Sequence, residues 1–243
     1  MQEILRPLTL QDYRFLIGVI RGPLNPARSL RERLEELEQE GAAERRDLLI
    51  QELEHEIRYL GSSDLAYIMR KAVNKEPGAS FRLIIRDTAR HLKVPLPNLG
   101  TEREMLALLA QDYATQQFGR LAPEQQQQVL EDLGVERDRA AAFLKKAAGV
   151  FAAPVLIEAF GLIVVQGLIK TVIFGLVTRV VGRQLATRFF AFIFSRVPWW
   201  ASWISPAAWT VSLGWAAFDL QGPARRKTIP IVLYLGLCAV RDR

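Results

Sequence analysis

The sequence predicts an all-α protein, a helical domain over residues 1–145 followed by a hydrophobic helical hairpin region over 146–243. Three observations lead there. Apolar residues recur at three- and four-residue intervals through the first half, the spacing of one helix face. No stretch alternates with period two, and no Asn-Gly or Asp-Gly dipeptide offers a hairpin turn. The charge balance also changes along the chain: residues 1–140 hold 20 Lys/Arg against 23 Asp/Glu, whereas residues 141–243 hold 12 against 3, namely Glu158, Asp219 and Asp242.

The elements follow in order. A first helix is expected over about 9–21, with Tyr13, Leu16, Ile17 and Ile20 on one face. "GPLNP" (22–26) ends it, because two prolines and a glycine do not continue a helix. Ser29 is placed to cap a helix from Leu30 whose apolar residues are Leu30, Leu34 and Leu37. A further helix over about 43–60 carries Leu48, Leu49, Leu53, Ile57 and Leu60. The charged residues between them read as solvated faces with i,i+4 pairs. "GSSD" (61–64) stops this element and caps a helix over 64–73; "NKEPGAS" (74–80) is a loop. Ser80 opens "FRLIIRDTARHLKV", with Leu83, Ile84, Asp87, Thr88 and Leu92 at helical spacing, and "PLPNLG" closes it. Thr101 and Glu104 form the T-x-x-E signature of a capping box for a helix through about Phe118. "APEQQQQVLEDLG" (122–134) is a short amphipathic helix.

The second half is apolar in blocks. Residues 147–169 contain one charge, Glu158. A bilayer span needs about 20 apolar residues, so the length suffices, but a central carboxylate is costly in lipid. Residues 197–218 carry no charge and hold all five tryptophans, Trp199, Trp200, Trp203, Trp209 and Trp215, together with Pro198 and Pro206. Indole prefers the headgroup level, so this pattern suits an interfacial or shallow re-entrant segment better than a clean span. Arg179, Arg183, Arg188 and Arg196 are spaced to carry guanidinium groups to phosphate level. A soluble helical core, with the tryptophans as packing anchors, is the competing reading. A last apolar run, 228–240, follows the basic cluster Arg225, Arg226 and Lys227.

Recognisable reaction chemistry is absent from the motifs. "HEIRY" (55–59) lacks the second histidine of a zinc-protease helix, and His55, His91 and Cys238 do not make a metal set. No P-loop, G-x-G-x-x-G or G-x-S-x-G occurs. The expectation is no metal, no cofactor and no enzymatic activity. Cys238, the only cysteine, gives no sign of a disulfide-stapled design. The N-terminus has no basic region followed by an apolar core, so a cleavable signal peptide is not expected. Nucleic acid is a poor fit as partner, because the basic half is also the apolar half. Glu56, Arg58, Arg70, Arg82, Arg86 and Asp87 are expected to form a carboxylate–guanidinium network joining the central helices.

"ELEHEIRYLGSSDLAYIMR", "FRLIIRDTARHLKV" and "GPARRKTIPIVLYLGLCAVR" resemble the YaaW-like family of uncharacterised bacterial proteins, through Glu56, Tyr59, Gly61, Arg82, Ile85, Asp87 and Leu92, then Gly222, Pro223, Thr228, Ile229 and Pro230. That family is grouped with a ubiquinol–cytochrome c chaperone domain. The resemblance implies no catalytic residues, and it departs in the aromatic 185–218 region. Two functions follow as expectations. One is a membrane-binding or membrane-perturbing protein on the cytoplasmic face of a bacterial inner membrane, peripheral or integral, meeting anionic phospholipid. The other is an assembly chaperone whose client is a membrane protein of a respiratory complex. The sequence leaves the oligomeric state open.

Overall fold

The computed structural model describes residues 1–21, 27–61, 79–147, 149, 151–181 and 225–241. Among them every regular element is a helix, as the sequence predicts. The chain divides into two compact units, Met1–Leu106 with Leu220–Ala239, and Ala107–Asp219 with Val240–Arg243. This differs from the expected partition at 145/146. The first unit is discontinuous, because it takes back a segment from the far end of the chain.

In the first unit, α1 (Gln2–Leu5) leads into α2 (Leu10–Ile20). Thr9 Oγ1 accepts from Asp12 N at 3.3 Å and Asp12 Oδ2 accepts from Thr9 N at 2.7 Å. This reciprocal box satisfies two backbone donors that a helix start leaves orphaned. α3 (Arg28–Glu40) buries Leu30, Leu34 and Leu37, the predicted stripe. Its start corrects the expected Ser29 cap: Ala27 occupies the N-cap position with φ 48° and makes no side-chain cap bond. Burial of the leucine stripe sets this helix, not its cap. α4 (Ala43–Leu60) matches the expected bounds and buries Leu49, Ile50, Leu53 and Ile57. The charged faces pair in solvent, as in Arg28–Glu32 at 3.7 Å and Arg45–Glu40 at 2.7 Å. Exposed pairs of this kind add little to stability.

α5 (Phe81–Leu92) begins at Ser80, whose Oγ accepts from Leu83 N at 3.3 Å. Its buried seam is Phe81, Ile84, Ile85, Thr88 and Leu92, whereas Leu83 and Asp87 lie off that seam and are exposed. A Cβ on Gly61 would sit 2.4 Å from Ile84 Cδ1, so the end of α4 approaches α5 at a distance that only glycine permits. α6 (Glu102–Gly119) carries the predicted capping box, with Thr101 N donating to Glu104 Oε2 at 2.7 Å. The boundary between the units falls within this helix.

The C-terminal helix α11 (Arg225–Arg241) closes the first unit. Tyr234 OH donates to Asp12 Oδ1 at 2.6 Å, and the Tyr234 ring stacks on Phe15 at 3.9 Å between centroids. Lys227 Nζ donates to Ile20 O, the last carbonyl of α2. Asp12 pairs with the later residue and Ile20 with the earlier one, so α2 and α11 run antiparallel. Burial pushes the Lys227 ammonium pKa down, and nearby Glu56 opposes it. Every residue from Thr228 to Ala239 is buried. A helix buried on every side is the centre of its packing unit. The last apolar run packs inside the first unit.

The second unit contains the later part of α6 and then α7 (Pro123–Asp132), α8 (Arg137–Ala147), α9 (Ala153–Phe160) and α10 (Leu162–Val181). Gln126 Nε2 donates to Phe118 O at 3.0 Å and closes the end of α6. A Cβ on Gly167 would lie 2.7 Å from Leu133 Cδ2, which fixes α10 against the end of α7.

Two outcomes follow from the first unit. Asp12→Asn weakens the charge-assisted bonds to Thr9 and Tyr234 and is expected to cost about 2 kcal/mol, read by urea unfolding. Tyr13 donates to Leu5 O at 2.9 Å, and burial, offset by Arg46, pushes its phenol up to about 12 from 10.0. The unfolded chain ionises first, so the stability from this group is complete below pH 10 and is lost as pH rises towards 12. Thermal melts over that interval are expected to fall less steeply for Tyr13→Phe than for the parent.

Candidate functional site: an exposed apolar elbow

The apolar stretch 147–169 is not one continuous helix. α9 ends at Phe160, Gly161 takes φ 87° and ψ 163°, and α10 starts at Leu162. An L side chain rarely adopts that backbone, so the glycine creates the break. Pro154 occupies the first turn of α9, where its missing N–H costs nothing.

Aromatic rings hold α9 on α8 and the segment before α9 on the end of α6. Phe143 meets Phe160 edge-on at 4.6 Å between centroids, and Phe151 meets Phe118 edge-on at 5.1 Å. Arg139 on α8 donates to Ala159 O, and its guanidinium carbon lies 5.7 Å from the Phe160 ring centroid. One cation thus satisfies a carbonyl of the last helical turn and covers an aromatic face. The inner side buries Ala153 and Leu156 of α9, with Val165, Leu168 and Ile169 of α10.

The outer side is different. Val155 is 41 % exposed, Leu162 48 % and Ile163 74 %. Large aliphatic side chains in a folded chain are usually inside, and several together outside mark an interaction surface. Glu158, exposed, stands three residues after Val155 and four before Leu162. Further along α10, burial pushes the Lys170 ammonium pKa down, and Arg241 adds to the shift.

Most of the predicted interface residues lie outside the described residues: Trp199, Trp200, Trp203, Trp209, Trp215, Arg183, Arg188 and Arg196, as do Gly222, Pro223 and Arg70. Arg179 lies on α10. The described family-motif residues all fall in the first unit. Gly61 is the close approach to Ile84, Thr228 and Pro230 lie in buried α11, and Glu56 and Tyr59 lie on α4. Of the set expected to form a carboxylate–guanidinium network, three arginines also bond backbone carbonyls, and Arg58 lies 3.9 Å from Glu54 one helical turn away. Arg82 Nη2 donates to Gly100 O at 2.6 Å, Arg86 Nη2 to Asn98 O at 2.9 Å and Arg58 Nε to Ala79 O at 3.3 Å. Asp87 pairs within its own helix, with Arg90 at 3.2 Å.

Among the described residues no group of three or more His, Cys, Asp or Glu is arranged to hold a metal ion. One buried polar cluster joins Asp12, Tyr234 and Cys238, the thiol sulfur 3.9 Å from Asp12 Oδ1. Asp12 is 1 % exposed and ties helices together. The elbow itself was not singled out from the sequence. Its signal is a glycine inside an apolar run, a feature that also serves close helix packing.

No family model matches the chain, and no curated protein and no solved structure matches it either. The YaaW-like resemblance rests on its quoted residues alone.

Because the outer elbow residues contribute little to the core, the double change Leu162→Ser with Ile163→Ser is expected to shift the melting temperature by no more than about 2 °C. A loss several times larger would place these side chains inside the fold.

Proposed function

We propose that this chain is a non-enzymatic protein that binds or perturbs a lipid bilayer through its C-terminal hydrophobic region. The observation that carries the reading is the elbow, where Gly161 breaks an apolar run into two helices and Val155, Leu162 and Ile163 beside the break are exposed. Exposed aliphatic side chains that enter the headgroup–acyl boundary gain free energy in proportion to the area they bury there. The strong excess of Lys and Arg over Asp and Glu after residue 140 supports an anionic phospholipid surface as the partner. The uncharged tryptophan-rich stretch 197–218 supports it through composition. Among the described residues no helix is long and apolar enough to cross a membrane, so the elbow fits an interfacial contact. The cytoplasmic face of a bacterial inner membrane is the surface proposed.

Glu158 sits within the outer face and opposes entry into an anionic interface while ionised. Flotation with phosphatidylcholine vesicles, with and without phosphatidylserine, tests both statements. The parent is expected to float with the anionic vesicles with a blue shift of tryptophan emission, and the Leu162→Ser, Ile163→Ser double variant to float several-fold less. Glu158→Gln is expected to bind roughly fivefold more tightly at pH 7, about 1 kcal/mol for one charge at the surface. A parent chain that ignores vesicles of both compositions overturns the membrane reading. Equal binding of Glu158→Gln and the parent to anionic vesicles overturns the role of the carboxylate.

A further inference from the structure

Leu99 is 85 % exposed, the most exposed large apolar residue among those described. It stands in the 95–100 loop between α5 and α6, within the first unit and outside the hydrophobic C-terminal region. The backbone on both sides of it is anchored. Arg86 donates to Asn98 O at 2.9 Å and Arg82 donates to Gly100 O at 2.6 Å. The loop then passes into the capping box of α6, where Thr101 N and Thr101 Oγ1 both donate to Glu104 Oε2. Pro95 and Pro97 supply no N–H at all.

These features share one physical effect. A loop that stays in water has no need of internal partners for its carbonyls, because water provides them. A loop that enters the edge of a bilayer loses that water, and each unsatisfied N–H or C=O then carries a large cost. Here the two carbonyls flanking the protruding leucine are already bonded to guanidinium groups, and two backbone donors are missing by sequence. The arginines that bond them stay at headgroup depth, each with further N–H groups for phosphate oxygens. Around the loop, α5, its C-cap and the first turn of α6 carry Arg82, Arg86, Arg90, Lys93 and Arg103 against Asp87, Glu102 and Glu104, with Glu104 already engaged by Thr101, and Leu83 is also exposed. A protein pocket asks for a contiguous apolar surface around its anchor residue. The neighbours of Leu99 are proline, asparagine and glycine.

We propose that the 95–100 loop is a second lipid contact, in which Leu99 enters the headgroup–acyl boundary of an anionic bilayer while the α5 cations meet lipid phosphates. This rests on the membrane reading above and extends it to a part of the chain that composition marks as soluble.

The full-length chain is tested in two ways. Leu99→Ser is floated with phosphatidylcholine vesicles containing phosphatidylserine. Leu99→Cys is labelled with an environment-sensitive fluorophore, Cys238 being buried in the folded protein. The expected results are a roughly fivefold weaker partition for Leu99→Ser, about 1 kcal/mol for one partly buried leucine, and a blue shift of the label on anionic vesicles. If the parent floats while Leu99→Ser floats equally well and the label stays water-like, the loop contact is overturned and the membrane reading stands. If the parent does not float, the membrane reading fails and takes the loop contact with it.

Discussion

The carboxylate of Asp12 accepts from Thr9 at the start of its own helix and from Tyr234, 222 residues later. A buried charge is tolerable only when its lone pairs are taken up. The first unit is built so that the far end of the chain completes that requirement. Phe15 beside Tyr234 adds stacked aromatic area, and Lys227 bonds the last carbonyl of the same helix. Both ends of α2 are thereby held by α11, and the register of the two helices is fixed by polar contacts at each end of an apolar seam. Polar groups set the alignment that apolar burial alone leaves loose.

A second device recurs in both units. Guanidinium groups bond backbone carbonyls where helices end or loops turn: Arg58 to Ala79, Arg82 to Gly100, Arg86 to Asn98 and Arg139 to Ala159. Each relieves a carbonyl that the helix ladder cannot use. This is a different use of arginine from the surface pairs of α3 and α4, which salt screens and which add little to stability. In a chain proposed to work at a lipid surface, the same bonds lower the cost of bringing backbone near the acyl region.

Much of the helical pattern was legible in the residues themselves. The Leu30, Leu34, Leu37 stripe, the bounds of α4, the Ser80 cap and the Thr101–Glu104 box all follow from local rules, and local rules act within a turn or two of the chain. The failures are long-range. Residues 228–240 have the composition of a membrane segment and of a core helix alike, and only the pairing of Tyr234 with Asp12 decides between them. The polar set on α5 suggests ion pairs, and Asp87 pairs with Arg90, but Arg82 and Arg86 also reach carbonyls of a loop whose path the sequence does not give. The elbow at Gly161 was hidden for a related reason. Glycine inside an apolar run reads equally as close packing, as it is at Gly167, or as a break, as it is at Gly161.

The discontinuity of the first unit has a consequence for the order in which the protein is made. A ribosome releases the chain from the N-terminus, so Asp12 and Phe15 are out long before Tyr234 exists. During that interval the nascent chain exposes its most apolar stretch, the residues that follow 146, while the earlier helices still lack the element that seals them. Translation speed, and whatever shelters an emerging greasy segment, therefore act on this molecule at the stage when its first unit is still open.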